Sequence, residues 1–155
     1  MTQHQGLEAL YRAEQPGLVR LATLLVRDQA VAEELVQDAF VRVHHRIADA
    51  DRPGAYLRTT VVNLCRSHGR REVVAARAAI EPPASTSPPP AIPTELTELW
   101  RALDRLPERQ RHAIVLRFYL DLDDAEIARL LDARPGTVRS LISRGLSTLK
   151  QEVQR

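Results

Sequence analysis

Near its C-terminal end the chain carries four side chains, Arg139, Ser140, Ser143 and Arg144 in GTVRSLISRGL, whose types and spacing could read nucleic acid. Arginine presents a planar fork that bonds two acceptors of guanine at once, and serine can serve as donor or acceptor. Wound as a helix, the segment puts these four and Ser147 on one side and Val138, Leu141, Ile142, Leu146 and Leu149 on the other. Between 134 and 150 there are four cations, Arg134, Arg139, Arg144 and Lys150, and no acid. An ordinary helical hairpin with a solvated basic face has the same pattern, so the chemistry alone leaves both readings open.

Such a helix needs a neighbour to hold it. Ala125, Ile127, Ala128, Leu130 and Leu131 share one face of a preceding helix that Asp123 or Asp124 can cap. The segment Asp132-Ala133-Arg134-Pro135-Gly136 then breaks the pattern, because proline disfavours helix before it and suits a first helical turn. The unit 123–150 is therefore expected to be a helix-turn-helix, whose second helix enters the major groove with its N-terminal residues at the base edges.

The rest of the chain is expected to be all-α, in two small helical domains. Six of the ten prolines fall within EPPASTSPPPAIPTE, which is too poor in apolar residues to order itself. It is expected to be a flexible linker, 73–94, between a domain at 1–72 and one at 95–155. In the first domain Leu7, Leu10, Tyr11, Leu18, Leu21, Ala22 and Leu25 form an apolar stripe that Pro16-Gly17 is expected to kink or break. Asp28 should start a second helix burying Ala32, Leu35, Val36, Ala39, Phe40 and Val43, with Glu33, Glu34, Gln37, Asp38 and Arg42 outside. A third, from about Ala55 to Arg71, should bury Leu57, Val61, Leu64 and Cys65. In the second domain Leu96, Leu99, Trp100, Leu103 and Leu106 mark a helix, and Pro107 opens another through Phe118.

The formal net charge is only +2, so any nucleic-acid surface must come from local segregation. Between 52 and 71 lie five cations and no acid, and between 28 and 38 four acids and no cation. One basic and one acidic face point to two different partners, the acidic one a candidate protein-docking surface. A solvated acidic helix remains the plainer alternative.

Two blocks carry a resemblance to a known family: AEELVQDAFVRVHHR with RPGAYLRTTVVNLCRSHGRR, and LWRALDRLPERQRHAIVLRFYLDLDDAEIARLLDARPGTVRSLISRGLSTLK. In this order and separation they resemble the extracytoplasmic-function sigma factors of bacteria, members of the sigma-70 family. The resemblance implies region two in the first domain and region four in the second. It implies binding to core RNA polymerase, through the clamp helices of the largest subunit and through the second-largest subunit, and promoter-specific initiation of transcription. Glu33, Glu34, Gln37, Asp38, Phe40 and Arg42 match the polymerase-docking segment, where exposed carboxylates beside a large apolar side chain suit a basic partner.

The loop at 48–53 and the helix after it resemble the part that captures unpaired bases of the minus-ten element. There Arg52, Arg58, Arg66, Arg70 and Arg71 would neutralise phosphates, Asn63 would hydrogen-bond a base and Tyr56 would stack. Ser67-His68-Gly69 depart from the family, which often has an aromatic residue there, so strand opening would be weaker or fall to other side chains. Arg139, Ser140, Ser143 and Arg144 match the reader of the minus-thirty-five duplex, joined by Arg134. Gly136 and Thr137 would hold a phosphate at the helix start, and Arg109 and Arg111 would touch the backbone. An anti-sigma protein is a further possible partner.

Other classes fare worse. Cys65 and His68 are three apart, His44 and His45 are adjacent and His112 is remote, but Cys65 lies on an apolar stripe and no acid completes a triad. C-x-x-H falls short of four metal ligands, so no enzyme, metal or cofactor is expected. The single cysteine excludes an internal disulfide and agrees with a reducing compartment. MTQHQGLEAL has no basic start followed by an apolar core, and no apolar run is long enough to span a bilayer. A cytoplasmic protein without membrane insertion is expected. The alternative function is a helix-turn-helix regulator that binds a palindromic operator as a dimer without polymerase. A third reading is an adaptor of the same fold that binds polymerase but opens no promoter.

Overall fold

The computed structural model describes residues 3–46, 50–78 and 93–153, and these form helices joined by turns. They belong to two compact units, Met1–Pro83 and Ala84–Arg155.

The first unit holds α1 (Gln3–Val26), α2 (Gln29–Val43) and α3 (Pro53–Ala78), each packed on the other two. Asp28 caps α2, its Oδ1 accepting from the Val31 amide at 3.2 Å. Arg27, with φ 68°, makes the tight turn before it. Every residue expected to be buried on α2 is buried, and the centre of the unit is closed by Leu21, Leu25, Val36, Leu57, Val61 and Cys65. Val62, also buried, lies one position off the expected stripe.

Two expectations need correcting. α1 runs through Pro16 as one helix, so the break offered as one alternative at Pro16-Gly17 does not occur. Proline removes one backbone bond, but Leu18, Leu21, Ala22 and Leu25 beyond it are buried, and their burial keeps the helix whole. α3 starts at Pro53, whose missing N–H is harmless in a first turn, and runs through Ala78 into the span expected to be linker. The sequence EVVAARA at 72–78 contains good helix formers and no breaker, which permits this. At its other end the expected linker overlaps the described Pro93 and Thr94, while 79–92, and Ala48 and Asp49 of the loop before α3, lie outside the described residues.

In the second unit a 3₁₀ turn, Thr94–Leu96, leads into α4 (Thr97–Asp104), α5 (Glu108–Phe118), α6 (Asp124–Leu131) and α7 (Pro135–Val153). α4, α5 and α6 all pack on α7. Ala102, Leu103, Leu106, Ile114 and Leu149 form one core cluster. Leu96 and Leu99, among the residues expected to mark this helix, are 47% and 42% exposed, and α4 directs Trp100, Ala102 and Leu103 inward. Gly145 is buried on α7, and a methyl there would stand 2.4 Å from Ile114 Cδ1, so the glycine is what lets α5 approach. Arg105, after α4, pairs with Glu152 near the end of α7.

Candidate nucleic-acid interface

α6 and α7 form the helix-turn-helix. Asp123 caps α6, accepting from the Glu126 amide at 2.8 Å, and that bond is the main reason its carboxyl titrates below the ordinary range. At the other end Asp132 takes the left-handed conformation, φ 52°, which lets the Ala128 carbonyl accept from both the Asp132 and Ala133 amides. Pro135 then opens α7, and the Arg134 carbonyl accepts from Val138. Val138, Ile142 and Leu149 face the core, while Ala125 on α6 and Leu146 on α7, both expected to be apolar-face residues, are exposed.

The other side of α7 carries the expected readers. Arg134, Gly136, Thr137, Arg139, Ser143 and Arg144 are exposed, and Ser140 is half-buried. Arg139 is tethered, its Nη1 lying 3.5 Å from Asp124 Oδ2. On α5 the two arginines part company. Arg109 is exposed, whereas Arg111 turns inward, its Nη1 donating to the Leu106 carbonyl at 3.4 Å. Burial lowers the Arg111 pKa, and Glu108 and Asp104 partly offset that. Arg111 thus braces the unit and is poorly placed for a DNA backbone.

On α3, Tyr56, Asn63, Arg66 and Arg70 recur at helical spacing on the side away from the core, with Arg52 just before the helix in register. Tyr56 is 36% exposed, Asn63 and Arg70 are exposed and Arg66 is half-buried. Thr59, exposed on the same stripe, was missed by the sequence reading, though its place three residues after Tyr56 was the signal. Arg58 does not join them. It flanks the core side, where a methyl on Gly54 would lie 3.7 Å from Arg58 Nη1 and 3.2 Å from Glu14 Oε1. Arg71 is exposed at the edge of the stripe.

On α2, Glu33, Glu34, Gln37 and Arg42 are exposed and Asp38 partly so. Arg42 Nε bonds Asp38 Oδ1 at 3.1 Å, leaving the two glutamates as the net charge of the face. Phe40 corrects an expectation: it is 7% exposed, its ring set edge-on to Tyr11 at 4.7 Å, and so belongs to the core. The apolar group offered beside the carboxylates is Val41, 66% exposed. Cys65 is buried, and burial pushes its thiol up to about 12. Among the described residues no three His, Cys, Asp or Glu side chains gather as a metal site, and no helix is long and apolar enough to cross a membrane.

Comparison with known proteins decides the family. Residues 10–73 match the family model of sigma-70 region 2, and residues 96–149 that of sigma-70 region 4. The RNA polymerase sigma-E factor of Streptomyces avermitilis is 32% identical over 95% of this chain and 84% of its own length. The extracytoplasmic-function sigma factor SigM of Mycobacterium tuberculosis is 30% identical over 93% of this chain and 75% of its own. The chain belongs to the extracytoplasmic-function sigma factors. Among solved structures, the sigma factor RpoE of Bartonella quintana, crystallised with the anti-sigma factor NepR, shares its fold. There the TM-score is 0.76 at 23% identity, over 97% of this sigma factor and 98% of that chain.

Proposed function

We propose that this sigma factor binds core RNA polymerase and directs it to promoters, acting by recognition and without a catalytic step of its own. The observation that carries this reading is the presence in one chain, in order, of region 2 with a polar, cationic stripe on α3 and region 4 with a cationic reading face on α7. α7 takes the upstream duplex element, with Arg139, Ser140, Ser143 and Arg144 toward the base edges. Arg134, Thr137 and Arg109, with the amide of Gly136, take its phosphates. The α3 stripe takes the strand exposed by melting, with Tyr56 as stacking surface, Asn63 as hydrogen-bonding group and Arg52, Arg66, Arg70 and Arg71 as phosphate partners. Glu33, Glu34, Gln37 and Val41 on α2 face a basic helical surface of the polymerase.

An anti-sigma protein fits as a further partner, and the factor's place is with the polymerase in the cytoplasm. The deciding experiment is run-off transcription with core RNA polymerase and the purified chain. Promoter-dependent transcripts of defined length are expected, together with co-elution of chain and core. A chain that binds operator DNA as a dimer and neither co-elutes nor programs transcription would make it an ordinary regulator; co-elution without transcripts would make it an adaptor.

A further inference from the structure

Asp124, the first residue of α6, bridges two arginines from different helices. Its Oδ1 accepts from the Arg117 guanidinium at the end of α5, and its Oδ2 lies 3.5 Å from Arg139 Nη1 on α7. The two arginines differ in cover, the Arg117 side chain being 31% exposed and that of Arg139 66%. The more enclosed one fixes the carboxylate, and the carboxylate holds the freer one. The other arm of the Arg139 fork lies across the start of α7, where a methyl on Gly136 would stand 3.6 Å from Nη2. The guanidinium is thus held over the helical turn that faces the bases in the proposed complex.

An ion pair this exposed adds little to stability, because water screens it and ordering two side chains costs entropy. Its effect lies in where Arg139 can reach. An untethered arginine beside DNA settles on the nearest phosphate, a contact that carries no sequence information, whereas reading a base needs the fork in one orientation. We propose that Asp124 is a positioning residue that sets sequence discrimination: anchored by Arg117, it keeps Arg139 on a base edge and off the phosphates. This rests on the reading of α7 as the upstream-duplex reader.

The test uses the full chain on core RNA polymerase and a promoter recovered from genomic DNA by the wild-type holoenzyme. Run-off initiation is measured on a panel in which each upstream base pair is replaced in turn. At positions whose penalty is lost in Arg139→Ala, wild type should show a penalty of about tenfold and Asp124→Asn one below about threefold. Other positions should keep their penalties, and Asp124→Asn added to Arg139→Ala should change nothing further. A uniform loss across the panel would make Asp124 merely structural and overturn the proposal. So would an unchanged panel, or one on which Arg139→Ala is silent. If the wild-type chain does not initiate with core polymerase at all, the function reading falls first and takes this inference with it.

Discussion

Neighbouring residues on α2 differ sharply in burial, Phe40 lying in the core and Val41 outside it on the proposed polymerase face. Phe40→Ala is expected to destabilise the first unit by about 3–5 kcal/mol in urea unfolding, since it removes a buried ring. Val41→Asp should leave the unfolding midpoint nearly unchanged and weaken binding to core polymerase in a pull-down, because Val41 is exposed beside the glutamates. The sequence could not side Phe40 correctly from its resemblance alone. Its helical spacing already placed it on the buried stripe, and the two signals conflicted. Cys65 adds a test by pH. Its thiol rises from 9.0 to about 12 on folding, so the protonated form is favoured in the folded chain. The stability this lends is fully present below pH 9.0 and is lost as pH rises toward about 12. A thiol reagent should leave native protein unlabelled at neutral pH and label it fully in denaturant.

Among the elements, α7 is the one on which the second unit is built, and Gly145 fixes how closely α5 meets it. Gly145→Ala gains about 1 kcal/mol of helix propensity and loses about 1–3 kcal/mol to the clash with Ile114. A net loss of about 1 kcal/mol is expected by urea unfolding, and adding Ile114→Val should recover most of it by removing Cδ1. Helix existence and the buried face of α2 were legible because the apolar spacing there is regular and the caps, Asp28 and Asp123, are explicit, whereas on α6 and α7 the same spacing also set Ala125 and Leu146, which are exposed, on the buried side. The ends were less so. Pro16 left a kink or a break open because tertiary burial has no local signal, and α3 overran its expected end because nothing in EVVAARA stops a helix. At the site, Tyr56, Asn63, Arg66 and Arg70 came from the resemblance, and α3 shows that they share one outward stripe. The inward turn of Arg111, the place of Arg58 and the hold of Asp124 on Arg139 depend on neighbours distant in sequence, which no single helix pattern reveals.

For the whole molecule the small net charge of +2 conceals three segregated stretches, acidic at 28–38 and basic at 52–71 and 134–150. Binding to DNA should therefore depend steeply on salt despite near-neutrality, because each neutralised phosphate releases counterions. Arg144→Ala is expected to weaken binding to the preferred duplex more than to an unrelated one, because Arg144 is assigned to the base edges. A uniform loss across sequences, with the slope of log affinity against log salt reduced by about 1, would place it on a phosphate instead. In both cases co-elution with core polymerase should be unaffected. The turns of the chain carry a separate consequence. Left-handed backbone occurs at Arg27, Asp121 and Asp132, and no glycine among the described residues takes it. A side chain in that conformation costs about 1–2 kcal/mol relative to the right-handed form, less for aspartate. Heat tolerance could thus be engineered at Asp121 and Asp132, where glycine would relax the backbone without altering the residues assigned to DNA or polymerase.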